Sequence, residues 1–169
     1  LWYGLSLRSR VIMYDRSRVS ADQISSYEDL ADPRWRNKVC IRSSGNIYNQ
    51  SLVASMIAHQ GVEATEAWAR GLVANFARPP QGGDRDQIRA VVAGQCDLAV
   101  SNTYYLAGML TSGVAEDIEV AEQIGVLWPN QDGRGAHMNV SGAGVLRNAP
   151  NKESAIRLLE FLTGDFAQQ

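Results

Sequence analysis

The feature that most constrains the fold is an alternation of short apolar runs and longer amphipathic runs along the chain. The apolar runs have the length of buried strands, and the amphipathic runs repeat at helical spacing, as Leu52, Met56 and Ile57 do. The predicted strands are Val11–Met13, Val39–Arg42, Asp97–Ser101, Ile124–Trp128 and Val140–Leu146, and the predicted helices are Tyr48–His59, Ala64–Val73, Arg85–Ala93, Thr103–Leu110 and Asn151–Leu162. Strands separated by helices predict an α/β fold, with a mainly parallel sheet covered by helices on both faces.

Composition narrows the classes of function. The 169 residues are 45% hydrophobic and 20% charged, with a formal net charge of −2. This length predicts one domain with its own core. A weakly acidic chain without a run of basic residues has no general attraction to a polyanion, so no nucleic-acid partner is predicted. No apolar stretch approaches the roughly 20 residues that span a bilayer.

The common catalytic motifs are missing. The sequence contains no phosphate-binding loop, no nucleophile elbow, no H-E-x-x-H and no C-x-x-C. The two histidines, His59 and His137, are expected to be structural or surface residues, because a lone histidine needs partners to bind a metal. The sequence therefore predicts a binding protein and not an enzyme.

Two adjacent tyrosines, Tyr104 and Tyr105, follow an apolar strand and open a helix. At a helix N-terminus, neighbouring side chains lie about 100° apart, so both phenols can reach one point beyond the carboxyl end of the strand. Open α/β sheets bind their ligands there. The alternative is that one tyrosine packs in the core while the other covers a groove.

A second strand end repeats this arrangement with Tyr48. Cys40 precedes Tyr48 by eight residues, and Cys96 precedes Tyr104 by the same number. We interpret the two strands as neighbours in register, with their tyrosines converging at one edge of the sheet.

Three converging phenols suggest a metal. Phenolate is a hard anionic oxygen ligand, and a tyrosine with a pKa of about 10 loses its proton at neutral pH only when a strong Lewis acid binds its oxygen. Zinc and copper sites favour imidazole and thiolate. Ferric iron fits the three phenols better, because three tyrosinates neutralise a trivalent ion.

Several runs of the sequence resemble the periplasmic ferric-iron-binding proteins of bacterial ABC transporters, and the resemblance covers nearly the whole chain. These runs are Tyr27–Pro33, Arg42–Leu52, Ala74–Pro80, Asn102–Tyr105 and Gly133–Gly142. The resemblance implies a type-II periplasmic-binding-protein fold with two α/β lobes and a ligand cleft between them. Members are about twice as long as this chain, which resembles the later lobe with its crossing strands. The implied division is a crossing-strand segment at residues 1–15, a ligand-binding lobe at 16–125 and return strands with C-terminal helices at 126–169.

By the same resemblance, Tyr48, Tyr104 and Tyr105 match the tyrosines that bind iron, and a further ligand comes from the first lobe, which is missing here. The implied protein captures Fe(III) in the periplasm and delivers it to an ABC transporter permease. One alternative is the same fold binding another small anionic or polyamine solute, with the tyrosines stacking on it. Another is an enzyme that uses Tyr104 or Tyr105 as an acid, which would need a partner base or a cofactor loop.

A synergistic anion such as carbonate is also implied. Ser43, Ser44 and Gly45 offer hydroxyls and backbone N–H groups at a helix N-terminus, which favours an anion, and they match the anion-binding turn of some members. Arg8 resembles an arginine that contacts the anion or neutralises the site. The alternative for Arg8 is an ordinary surface ion pair.

The two cysteines occupy matched strand positions, which suggests a disulfide between Cys40 and Cys96. A disulfide would agree with an oxidising periplasm. Two free buried cysteines are the alternative, and thiolate ligation fits poorly beside hard oxygen ligands.

Overall fold

The computed structural model describes residues 2–168. Within this range no helix is long and apolar enough to cross a membrane. The strands are β1 (Trp2–Asp15), β2 (Val39–Cys40), β3 (Leu98–Asn102), β4 (Ile124–Leu127) and β5 (Met138–Gly144). The helices are α1 (Ile47–Gln60), α2 (Val62–Ala74), α3 (Asp84–Val92), α4 (Thr103–Leu110), α5 (Ala115–Glu122), α6 (Lys152–Thr163) and α7 (Asp165–Gln168), and three short 3₁₀ turns precede β2.

Two compact units divide the chain, and the larger comprises residues 9–137. Its strands lie in the order β2-β3-β1-β4. β2 pairs with β3 in parallel, whereas β1 lies antiparallel to both β3 and β4, with Ile12 opposite Val100 and Leu127. The predicted α/β class is confirmed, but the sheet is mixed and not mainly parallel. The reason is that the long strand β1 inserts between two strands that run in the opposite direction.

Helices cover both faces of this sheet, as predicted. Alternate residues of β1 point to opposite faces, so Val11 and Met13 join one core while Ile12 joins the other. The first core is completed by residues of α3, α4 and α5, among them Ile88, Met109 and Ala121. The second is completed by residues of α1 and α2, among them Leu52, Met56, Trp68 and Leu72.

The smaller unit contains residues 2–8 and 138–168 of the described chain. Here β5 pairs with β1, and the Trp2 ring lies so close to Gly142 that a Cβ at this glycine would clash with it. Helix α6 buries Leu159. The boundaries between the two units lie between residues 8 and 9 and between residues 137 and 138. The three-part division of this chain that the resemblance implies stays a prediction.

Cys40 and Cys96 are joined by a disulfide, with their Cα atoms 5.8 Å apart. Both residues are buried in the larger unit. The strand register differs from the predicted one, because Cys40 pairs with Ala99, three residues beyond Cys96. Cys96 lies just before β3 begins at Leu98. The disulfide thus connects the end of β2 to the entrance of β3.

Candidate metal centre

Tyr48 lies in the first turn of α1. Asn46 caps this helix, and its side-chain oxygen accepts a hydrogen bond from the Tyr48 amide at 3.0 Å. Asparagine is a favoured N-cap because its side chain satisfies an amide that has no partner within the helix. The cap therefore fixes where the Tyr48 side chain leaves the helix.

Tyr104 and Tyr105 lie in the first turn of α4, which follows β3 without an intervening loop. Their ring centroids are 4.2 Å apart, with an angle of 33° between the rings. Tyr104 is 41% exposed, whereas Tyr105 is partly buried against the core beneath α4. Tyr105 thus packs on the core and also stacks on Tyr104.

The structure brings the two strand ends together. The Tyr104 hydroxyl donates a hydrogen bond to the Tyr48 hydroxyl over 3.1 Å. The two tyrosines converge although Cys40 pairs with Ala99 and not with Cys96. Residues 41–46 form a turn between β2 and α1, whereas β3 leads directly into α4. The longer connection after β2 compensates for the offset of three residues.

This spacing suits two ligands of one metal ion. At metal–oxygen distances of about 2.0–2.2 Å, two ligands at a right angle lie about 2.8–3.1 Å apart. The two phenol oxygens already have this separation. In the described part of the chain no group of three or more His, Cys, Asp or Glu residues could hold a metal, so the tyrosines are the candidate ligands.

Beneath the tyrosines lies a buried polar network that the sequence analysis missed. Arg10 is fully buried and forms an ion pair with Asp84 at 2.6 Å. It also donates hydrogen bonds to Asn49 at 2.6 Å and to Asn102 at 3.2 Å. Asp84 accepts a further bond from the Asn102 amide at 2.9 Å. Since Asn49 adjoins Tyr48 and Asn102 directly precedes α4, this network connects the elements that carry the tyrosines.

Two guanidinium groups lie near Tyr48. The central carbon atoms of Arg10 and Arg42 are 5.9 and 5.7 Å from the ring centroid. Both arginines contact Asp84, Arg42 at 3.3 Å. Their charges offset negative charge that develops when phenols ionise. Arg10 had a signal in the sequence, because it is a charged residue directly before the apolar run Val11–Met13.

Tyr104 keeps its proton before a ligand arrives. Burial raises the pKa of Tyr104 above its ordinary value of 10.0, and hydrogen bonds with Tyr105 and Tyr48 raise it further. An interaction with the Asn102 side chain lowers this pKa, but the combined shift is upward. A ligand that binds the phenolate form must therefore displace protons.

The residues predicted to bind an anion lie in two places. Ser43, Ser44 and Gly45 are exposed in the turn before α1, and the Gly45 amide donates to Ser43 Oγ at 3.2 Å. Arg8 belongs to the smaller unit, where its guanidinium donates to the Ser141 hydroxyl. The anion-binding role of all four residues stays a prediction.

His137 extends the hydrogen-bonding around the network. Its Nε2 lies 2.8 Å from the Ser51 hydroxyl on α1. Its backbone amide donates at 3.0 Å to the Tyr27 hydroxyl, which in turn donates to the Arg10 carbonyl. Tyr27 is a core residue, and burial raises its pKa to about 12. Partial burial, and after it the charges of Arg10 and His59, lower the pKa of the His137 imidazole below 6.5.

This shift predicts a pH dependence of stability. Because the pKa of His137 is lower in the folded than in the unfolded state, the unfolded state takes up the proton first as the pH falls. Neutral His137 makes its full contribution to the free energy of unfolding above a pH of about 6.5. This contribution is lost as the pH falls through the pKa that His137 has in the folded state. His137→Gln should flatten this part of the profile, measured by urea unfolding between about pH 5 and 8. Equal profiles for wild type and His137→Gln would contradict the prediction.

The fold and the tyrosine cluster define a ligand-binding α/β lobe of the kind found in solute-binding proteins. The chain belongs to the family of bacterial extracellular solute-binding proteins, which it matches over residues 1–169. Iron uptake protein A1 of Synechocystis sp. is 52% identical over 168 residues, which are 99% of this chain and 47% of that protein. The Fe(3+)-binding periplasmic protein of Serratia marcescens is 30% identical, with 99% of this chain and 48% of that protein covered.

Solved structures agree with this assignment. The Trichodesmium protein called IdiA or FutA, in complex with iron and citrate, superposes with a TM-score of 0.96 and 54% identity, over 99% of this chain and 53% of that one. The predicted resemblance to ferric-iron-binding proteins is thereby confirmed. The chain spans about half the length of the relatives that it matches.

Proposed function

We propose that this chain supplies the tyrosine ligands of a ferric-iron site in a periplasmic solute-binding protein that delivers iron to an ABC transporter permease. The observation that carries the proposal is the 3.1 Å separation of the Tyr48 and Tyr104 hydroxyl oxygens, with Tyr105 stacked beside them. Relatives named for iron uptake and Fe(3+) binding support it. The chain binds and releases its cargo and performs no chemical turnover.

The chemistry follows from the phenols. When the metal ion binds their oxygens, Tyr48, Tyr104 and Tyr105 release their protons to solvent, and the three phenolates neutralise its three positive charges. Because the pKa of Tyr104 is raised, protons compete with the metal for its oxygen, and binding weakens as the pH falls. Lower pH therefore favours release.

The site is completed from elsewhere. The relatives are about twice as long, so we infer that a further ligand comes from a first lobe outside this sequence. Closure of the two lobes would enclose the ion, and reopening would release it. We assign Ser43, Ser44 and Gly45 to the anion that accompanies iron. That anion is a small carboxylate or carbonate.

The test is a visible-absorbance titration with chelated ferric iron and bicarbonate. We expect a phenolate-to-iron charge-transfer band that saturates in the wild type and is lost in Tyr104→Phe/Tyr105→Phe, because phenylalanine offers no oxygen ligand. Tyr3→Phe, in the smaller unit, is the matched control and should keep the band.

A wild-type band that survives the double substitution would refute the ligand assignment. If neither the chain nor the intact protein develops a band, the ferric-iron proposal is wrong. If the protein then binds another anion or a polyamine without a colour change, the alternative function is favoured, in which the same fold binds a different solute.

A further inference from the structure

A polar pocket of the larger unit lies beside α3. Its volume is about 410 Å³, which falls within the roughly 300–1,000 Å³ of small-molecule sites. The described residues that line it include none of the three tyrosines, so the pocket is separate from the tyrosine cluster. Its polar lining residues come from α3 and from the segments on either side of it, and they are Arg78, Gln81, Asp86, Arg89 and Gln95.

The pocket and the buried network lie on opposite sides of α3. Arg89 and Ala90 follow Asp86 by three and four residues, so these three lining residues share one face of the helix. Asp84 precedes Asp86 by two residues, which places it about 200° around the helix. Asp84 faces Arg10 and the network beneath the tyrosines. A ligand in the pocket therefore binds the other face of α3.

Arg78 and Arg89, the two arginines of the pocket, differ in their partners. Arg89 is paired with Asp117 at 2.5 Å. Arg78 is half-buried, and among residues 2–168 its guanidinium has one hydrogen-bond partner, the neutral Oε1 of Gln87, at 3.1 Å from Nη2. Charged groups that are partly removed from water are normally paired with an opposite charge. The pocket thus presents a cation without a counter-ion.

Gln87 holds the Arg78 guanidinium in place. Gln87 is fully buried, and its Nε2 donates hydrogen bonds to the carbonyl oxygens of Gln81 at 2.6 Å and Gly83 at 2.9 Å. Because these bonds use the amide nitrogen, the amide oxygen is presented to Arg78. The guanidinium is therefore oriented before a ligand arrives, which lowers the entropy cost of binding.

Asp86 limits the charge of the ligand. It lines the same pocket, where its Oδ2 accepts a hydrogen bond from the Gly83 amide at 2.6 Å. Since like charges repel, an anion with one negative charge is favoured over an anion with two. The exposed side chains of Gln81 and Gln95 offer amide groups to the polar remainder of a ligand.

We propose that this pocket binds a small organic acid with a single carboxylate, which Arg78 holds. Each Nη atom carries two hydrogens, so the bond from Nη2 to Gln87 leaves one hydrogen on that atom free. Nη1 and Nη2 together match the two carboxylate oxygens with parallel hydrogen bonds. The ligand is neither the iron nor its accompanying anion, and the proposal does not depend on the function proposed above.

The test is an NMR titration of the intact protein with sodium acetate, compared with sodium phosphate and sodium chloride at the same ionic strength. In the wild type, acetate should shift the signals of the pocket residues until they saturate, and chloride should not. Arg78→Gln should raise the dissociation constant for acetate at least about tenfold, as expected for lost hydrogen bonds between charged groups. Arg78→Lys keeps the charge without the planar guanidinium, so it should also bind more weakly than the wild type.

The matched control is Arg70→Gln on α2, which removes an arginine with a 77% exposed side chain and should leave the constant unchanged. Urea unfolding checks that Arg78→Gln keeps its fold, and Arg78→Lys carries the comparison if it does not. No saturating shift with acetate in the wild type overturns the proposal, and so does saturation with phosphate alone. An equal effect of Arg70→Gln, or unchanged binding in both Arg78 variants, overturns it as well. Each of these outcomes leaves the ferric-iron function standing.

Discussion

Replacing Asp84 by asparagine is expected to lower the free energy of unfolding by about 3–5 kcal/mol, the range for breaking a buried ion pair on one side. Both side chains of the Arg10–Asp84 pair have no exposed surface. The substitution keeps the shape and removes the charge, so the Arg10 guanidinium stays buried without its counter-ion. Urea unfolding at neutral pH measures the loss.

The matched control for Asp84→Asn is Glu66→Gln. Glu66 pairs with Arg70 on the surface of α2, where the side chains are 59% and 77% exposed. Exposed pairs of this kind contribute about 0.3–0.5 kcal/mol. If the two substitutions cost the same, the buried pair would not be the source of stability that its geometry indicates.

Removing the disulfide, by Cys40→Ala/Cys96→Ala, is expected to cost about 4 kcal/mol of unfolding free energy. The bond closes a loop with a sequence separation of 56 residues, and the chain-entropy relation for a loop of this length gives that magnitude. Denaturant unfolding of the variant and of the oxidised wild type, analysed at the same protein concentration, provides the comparison.

Reductant supplies the control for this second prediction. The double variant should unfold at the same denaturant concentration with and without reductant, because it has no cysteine left to respond. A difference below about 1 kcal/mol between the variant and the oxidised wild type would contradict the expected effect. The disulfide would then contribute little to the free energy of unfolding.

Much of the secondary structure was predictable, because it depends on residues close in sequence. The helix predicted at Tyr48–His59 is observed at Ile47–Gln60, and the one predicted at Thr103–Leu110 has those limits. Helix α5 was missed because its apolar residues form only a weak pattern between acidic ones. Strand β1 extends far beyond the predicted Val11–Met13, since its outer residues lack the continuous apolar run of a buried strand.

The candidate site was predictable only in its exposed part. Tyr48, Tyr104 and Tyr105 were identified because each follows a strand and opens a helix, which is a local pattern. The contacts among the buried polar residues beneath the tyrosines follow no such local pattern. Arg10 and Asp84 are 74 positions apart, and Arg10 and Asn102 are 92 apart. Pairing over such separations is decided by packing and not by neighbouring residues.

Local sequence patterns are enough to predict the α/β class and the placement of three tyrosines at helix N-termini. Periodicity and capping act over a few residues, so they can be read along the chain. Three features depend on tertiary packing. Strand β1 runs antiparallel between β3 and β4, the Tyr48 and Tyr104 hydroxyls lie 3.1 Å apart, and Arg10 and Asp84 form a buried ion pair. The reason is physical: strand order and burial depend on which distant surfaces exclude water from one another, and local sequence does not encode that choice.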